Sequence, residues 1–364
     1  MDFEEVFKAI EQSGNLLYEL LDQCKASDKK VFLFGAGNCG YIFKKLLERE
    51  RYPIAGIIDN FAERLDGVPV LRLDEVLRKN CLEECVFIIS APRSQSEIRG
   101  QLLRFVSPGQ VYLFSTTRSF GPGNDPQSTK SYLLRHKRDI SEIYNLLADE
   151  QSKTVMRHML LGHVTGDYDC FAEVRTGDFY YPPDLIAFRE GEVMVELGSN
   201  NGETLLDFIA RCPKFGRAYC FEADAACVRQ LRQLTEEYGE RVRIIDKIAW
   251  NEHAWVGFQC EDCSGGSHVD RTSNAAKIEA VAVDDVIPED ITYMKMDIEG
   301  SELRALHGAK AQIIRNKPVL AVSVYHKNED IVEIPRYIRS LRPDYRLYLR
   351  HHGWDDSDTV LYAI

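Results

Sequence analysis

Hydrophobic positions along this 364-residue chain recur with two periods, and the alternation between them sets the fold class. Unbroken apolar runs stand at 30–34, 54–58, 85–89 and 110–114. Runs of that length without polar alternation read as strands covered on both faces of a parallel sheet. Between them the apolar residues move to helical spacing. Val6, Ile10, Leu17, Leu20 and Leu21 predict one amphipathic helix over 4–25, and Ile42, Phe43, Leu46 and Leu47 predict a second. The pattern breaks at Gly121–Pro122–Gly123–Asn124–Asp125–Pro126, the strongest punctuation in the chain.

Helical spacing returns with Ile140, Ile143, Leu146 and Leu147, then Val155, Met156, Met159 and Leu160. A second strand–helix series begins near Tyr180, with strands expected at 193–197, 218–221, 242–245, 293–297, 319–325, 345–349 and 359–364. The last two flank the short polar stretch 351–358, which suits a closing antiparallel pair. The expectation is α/β, with two doubly wound Rossmann-like domains. Residues 1–120 form the first, 121–165 a helical connector and 166–364 the second.

Composition narrows the function. Hydrophobic residues make up 45% and charged residues 28%, the balance of a globular protein. A formal charge of −12 argues against nucleic acid or an anionic membrane as the main partner. No apolar run approaches the ~20 residues that span a bilayer. The acidic start and ten scattered cysteines point to reduced thiols and a cytoplasmic location. Cys260 and Cys263, near His268, have no second CxxC at matching spacing, so they read as loop thiols and no metal is expected.

Chemistry gathers at strand ends. Tyr293, Met294, Met296 and Ile298 read as a buried strand. Asp297 and Glu299 stand at its carboxyl end, where open α/β sheets bind ligands. Gly300 permits a sharp turn, and Ser301 is placed to cap a helix with Leu303, Leu306, Ala309, Ile313 and Ile314 inward. Upstream, Glu196, Gly198, Ser199, Asn200 and Gly202 follow a strand and open a helix, whose free N–H groups face a ligand. Glu222, with Ala223 after it, ends the next strand, where an acid can accept both hydroxyls of a ribose. This spacing is not GxGxxG, and it suits a nucleoside carrying a sulfonium and an amino-acid tail better than a pyrophosphate. His326, at the tip of the strand after Asp297, is the candidate base, with Asp297 or Glu299 orienting it. Glu299 and Glu302 read equally well as carboxylates stabilised at a helix N-terminus. His351 and His352 are low-ranking pocket candidates, and 264–268 reads as a mobile loop.

On VELGSNNGET (195–204), CFEAD (220–224), MKMDIEGSELRALHGA (294–309), SVYHKNEDIVEIPRYI (323–338), LYLRHHG (347–353) and TVLYAI (359–364), the chain from about 140 resembles the FkbM family of S-adenosylmethionine-dependent methyltransferases. The resemblance implies a class I methyltransferase fold, S-adenosylmethionine as cofactor and methylation of an oxygen on a sugar or polyketide-like acceptor. The family more often carries Asp before the first glycine, where this chain has Glu196. The acceptor would be a small molecule or a glycan.

In the first domain, Gly35, Gly37 and Gly40 lie between a strand and a helix, and Asp59 ends the next strand at roughly the ~20-residue spacing of a ribose-binding acid. VFLFGAGNCG (31–40), GIIDN (56–60) and GVPV (67–70) resemble the Rossmann-like module found ahead of some such methyltransferases and of certain sugar acyltransferases. That implies a nucleotide or nucleotide sugar, with NAD(P) also compatible. Two further readings fit these residues. One is a bifunctional NAD(P)-linked protein that modifies nucleotide sugars, the other a non-catalytic nucleotide-binding assembly protein. Oligomeric state is not legible.

Overall fold

The structure is a computed structural model and describes residues 2–115, 125–259, 267–269 and 276–364. Gly121–Asn124, Cys260, Cys263 and 264–266, singled out above, lie outside the described residues. The chain divides into two compact units. One comprises Met1–Lys137, Thr154–Arg175 and Gly353–Ser357; the other comprises Arg138–Lys153, Thr176–His352 and Asp358–Ile364.

The first unit holds four parallel strands, β1 (Lys30–Phe34), β2 (Ile54–Ile58), β3 (Cys85–Ile89) and β4 (Val111–Leu113), in the order β2-β1-β3-β4. Alternate residues of β1 go to opposite faces. Val31 and Leu33 join Leu21, Phe43 and Leu47 in one buried cluster, and Phe32 and Phe34 join Ile58, Phe87 and Ile98 in another. Both faces being covered explains why Val31–Phe34 are all apolar. The single helix expected over 4–25 is instead two, Phe3–Gln12 and Leu16–Ala26. Asn15 causes the break: its side chain accepts the Leu17 N–H at 3.2 Å and starts a new helix.

The second unit is built on a seven-stranded sheet of β5 (Val193–Leu197), β6 (Arg217–Phe221), β7 (Val242–Ile245), β12 (Tyr293–Met296), β13 (Val319–Ser323), β14 (Leu347–His351) and β15 (Thr359–Ala363). Their order is β14-β15-β13-β12-β5-β6-β7. The pairs from β13 through β7 are parallel, whereas β15 runs antiparallel to both β13 and β14. A smaller sheet contains β8 (Ile248–Trp250), β9 (Ala254–Gln259), β10 (His268–Val269) and β11 (Ala276–Ala282), in the order β8-β11-β9-β10. The chain leaves β5 toward β6 and β7 and later returns to β5's other side as β12. That reversal opens a crevice beyond the carboxyl ends of β5 and β12.

Three local expectations are corrected. The helix after Gly300 splits into Glu302–Gly308 and Lys310–Asn316, leaving Ile314 exposed. Ser301 makes no side-chain cap, and the Glu302 carboxylate turns back onto the N–H groups of Ile298 and Gly300 in the preceding turn. Free thiols include Cys24, Cys39 and Cys220, but Cys227 is disulfide-bonded, so the expectation of wholly reduced cysteines fails there. Among the described residues no helix is long and apolar enough to cross a membrane.

Candidate functional site

The crevice of the second unit is a cavity of about 380 Å³ whose lining includes Gly198, Asn200, Glu222, Lys295, Asp297 and Glu299. Three strand ends deliver these residues. After β5 the backbone turns through Gly198 (φ +80°) and Asn200 (φ 43°) to Gly202 (φ +84°), the N-cap of helix Glu203–Arg211. A Cβ at Gly198 would lie 1.9 Å from the Asp297 carbonyl oxygen, so the loops after β5 and β12 touch backbone to backbone. Ser199 and Ala223 also line the cavity.

Glu222, just beyond β6, is only 8% exposed. Its Oε2 accepts the Asn200 N–H at 2.7 Å, and Oε1 accepts those of Ala223 and Asp224 at 2.8 Å each. Burial raises its pKa, and the three amides pull it back only in part. The carboxylate is thus fixed and still has lone pairs toward the cavity. Asp224 caps helix Ala225–Leu234 and accepts the Ser267 hydroxyl at 2.9 Å, which ties down the short β10 segment.

Glu196 goes elsewhere. It is fully buried and absent from the cavity lining; its carboxylate accepts the Thr204 hydroxyl and lies 3.8 Å from Lys295 Nζ. Lys295 in turn donates to the Gly198 carbonyl at 2.5 Å and sits 4.9 Å above the Tyr180 ring. Glu196 therefore supports the glycine loop from beneath.

Beyond β12, Asp297 accepts the Tyr180 hydroxyl at 2.7 Å and the Tyr325 hydroxyl at 3.2 Å. Burial pushes its carboxyl upward, but Lys295, His326 and the Tyr180 hydrogen bond outweigh that and leave it below the usual range. The chain then passes through two positive φ values, Glu299 at 52° and Gly300 at 85°. Burial carries the Glu299 carboxyl up to about 7 against the opposing pull of His326.

His326 lies beyond β13 with its side chain 9% exposed, outside the cavity lining. Its Nε2 is 3.5 Å from both Asp297 Oδ1 and Glu299 Oε2, and its Nδ1 is 3.0 Å from Glu302 Oε1. Burial opposes the charge, yet Glu302, then Glu299 and Asp297, raise its pKa to about 10. His326 is an imidazolium at neutral pH, so it already holds the proton a base would have to accept. Asp297, Glu302 and His326 each bring a ligating atom within 4.8 Å of the others. The same contacts suit an imidazolium among carboxylates.

Several participants had no clear sequence signal. Tyr180 sits at φ 62°, and its carbonyl accepts the Tyr293 hydroxyl at 2.6 Å. Nothing in its neighbours marks it as reaching Asp297. Tyr325, Lys295 and Glu302 were legible only as strand or helix residues. His351 and His352 are buried, bonded to Thr359 and to Thr176 and Tyr362 respectively, and do not line the cavity.

In the first unit, Gly35, Gly40 and Asp59 come together. A Cβ at Gly40 would meet the Gly35 carbonyl oxygen at 2.0 Å, which lets the helix pack on the loop, whereas a Cβ at Gly37 would meet nothing. Asp59 accepts N–H groups from Ala36 (2.8 Å), Phe61 (2.8 Å) and Ala62 (3.0 Å). Its carboxylate thus ties its own loop to the glycine loop.

Residues 196–353 match the family model of the FkbM methyltransferase domain. The crystal structure of methyltransferase FkbM from Methylobacillus flagellatus KT is similar over 99% of this chain and 93% of that one, with a TM-score of 0.74 and 25% identity. An rRNA methylase from Streptococcus thermophilus overlaps 54% of this chain and 91% of its own at TM-score 0.31 and 15% identity. Fibrillarin from Aeropyrum pernix overlaps 50% and 70% at TM-score 0.30 and 14% identity. Comparison with curated proteins gave no match.

Proposed function

We propose that the second unit, whose residues 196–353 match the FkbM methyltransferase domain, transfers a methyl group from S-adenosylmethionine to a hydroxyl of a sugar or glycan. The observation that carries this reading is the convergence of Gly198, Glu222 and Asp297 from three strand ends on one cavity of about 380 Å³. The residues fit the donor. Glu222 would accept the ribose hydroxyls, and the glycine loop at Gly198, held by Lys295 from beneath, would face the rest of the donor. Asp297, whose carboxyl stays below the usual range, would supply negative charge to a sulfonium.

Bound S-adenosylmethionine would supply a methyl group on a positively charged sulfur, which leaves as a neutral thioether. Glu299 would take the acceptor's hydroxyl proton as that oxygen is methylated. Glu299 lines the cavity, and its raised pKa suits it to accept a proton near neutrality. This moves the base from His326, the sequence-based candidate, to its neighbour. His326 becomes the fixed positive charge between the two carboxylates. Polar lining residues Asn201, Glu203, Asp207, Lys247 and His268 suit a polyhydroxylated acceptor.

The test is binding and turnover of methyl-labelled S-adenosylmethionine with a panel of nucleotide sugars and glycans. Label found on acceptor oxygen is expected. Wild-type protein that does not bind S-adenosylmethionine would reject the reading, and label on nitrogen or carbon alone would reject its hydroxyl acceptor.

A further inference from the structure

Glu302 is the carboxylate of the His326 cluster that does not face the cavity, yet it is fully buried. Its Oε1 accepts the Ile298 N–H at 2.9 Å and the Gly300 N–H at 3.4 Å, and the same oxygen lies 3.0 Å from His326 Nδ1. Those two amides flank Glu299, in the turn whose positive φ values aim its side chain. One oxygen therefore holds both the loop that carries Glu299 and the ring that Glu299 meets. The turn is also packed from the other side: a Cβ at Gly300 would lie 2.9 Å from Lys327 Cε, and Lys327 Nζ donates to the Gly300 carbonyl.

We propose that Glu302 is a positioning residue for methyl transfer: it anchors His326 through Nδ1, so that Nε2 stands midway between Asp297 and Glu299 and holds both carboxylates at the cavity wall. The purpose rests on the methyltransferase reading above; the geometry rests on the contacts alone. The equal 3.5 Å separations to Asp297 and Glu299 follow from this arrangement. A ring pinned at one nitrogen has only the other to share, and sharing it equally keeps the two acids apart. A helix-terminal Glu that served only the dipole would stay exposed at the surface. Burying a carboxylate without a cation beside it is costly, and the imidazolium compensates.

The groups facing the ring are Asp297 and Glu299 from the loop after β12, and Glu302 from the helix that follows. Tyr325, Lys327 and Asp330 face it from its own segment, and Asp358 lies farther off beside Glu299 and Tyr325. Glu302→Gln keeps an oxygen for the two amides and removes the charge. NMR titration of histidine-labelled full-length protein is expected to show His326 losing its proton about 1–3 pH units lower in Glu302→Gln than in wild type. Glu302→Asp should recover part of that shift. With an acceptor in hand, Glu302→Gln should lower kcat by ~10-fold or more and leave the KM for S-adenosylmethionine within about twofold, since Glu222 and Gly198 are untouched.

An unchanged His326 titration in folded Glu302→Gln would overturn the proposal. Broadening of the His326 signals by Mn²⁺ alone would do so as well, by assigning the cluster to a cation. Should Glu302→Gln fail to fold, His326→Gln gives the reciprocal test: the Glu299 carboxyl must then titrate higher, and an unmoved Glu299 overturns the arrangement. None of these titrations needs methyl transfer. Wild-type protein that ignores S-adenosylmethionine would therefore reject the function while leaving the Glu302–His326 pair to be judged separately.

Discussion

Gly198 and Asp297 meet backbone to backbone, with space for a hydrogen but not a methyl: a Cβ on Gly198 would fall 1.9 Å from the Asp297 carbonyl oxygen. This contact joins the two loops that frame the cavity. Gly198→Ala must push the loops apart while also holding alanine at φ +80°, which by itself costs about 1–3 kcal/mol. Expected results are a lower melting temperature and loss of S-adenosylmethionine binding by calorimetry. A variant that binds like wild type would show that the loops do not jointly form the donor site.

Glu222→Gln tests the ribose contact. The three amide donors around Glu222 lose a charged acceptor, and so does the ribose. At about 1.5–3 kcal/mol for a hydrogen bond to a charged group, affinity for S-adenosylmethionine should fall roughly 10- to 100-fold. Titration calorimetry reads this directly, and an unchanged Kd would place the ribose elsewhere.

Glu299 sets the pH profile. Burial raises its carboxyl to about 7, so below that pH it is protonated and cannot accept the acceptor's proton. Turnover should rise as pH passes upward through about 7 and then level off. Glu299→Gln should lose most turnover and retain S-adenosylmethionine binding. A wild-type rate that is flat from pH 6 to 8 would remove Glu299 as the base.

His326 makes a stability prediction of definite sign. Its pKa rises from 6.5 in the unfolded chain to about 10 in the fold, driven by Glu302, Glu299 and Asp297 against burial. The folded state holds the extra proton, so this contribution is complete below pH 6.5 and is lost as pH climbs through 10. Denaturant midpoints of wild type should fall across that window relative to those of His326→Gln. Parallel curves for the two proteins would contradict the assignment.

The strands were legible because a parallel strand buried on both faces is mostly apolar, as Val31–Phe34 of β1 and all of β3 are. The breaks were less legible. Asn15 reads as a helix residue until its side chain is seen capping the next helix. Ser301 has the residue type of a cap, yet its side chain caps nothing and Glu302 reaches back to the Ile298 amide. Tyr180 escaped notice because its partner Asp297 lies 117 positions away, and neither local spacing nor residue type encodes that distance.

Glu196 and Glu222 mark the boundary between the two kinds of information. The sequence by itself determined that each acid stands at the end of a strand, because hydrophobic period and glycine placement are local properties of the chain. The tertiary structure decided that Glu222 faces the cavity while Glu196 lies sealed beside Thr204 and Lys295. It likewise decided that neighbouring carboxylates raise the pKa of His326 while burial raises that of Glu299. Burial and Coulomb interactions depend on which distant segments the crossovers bring together, and those forces set the charge on every group in the site.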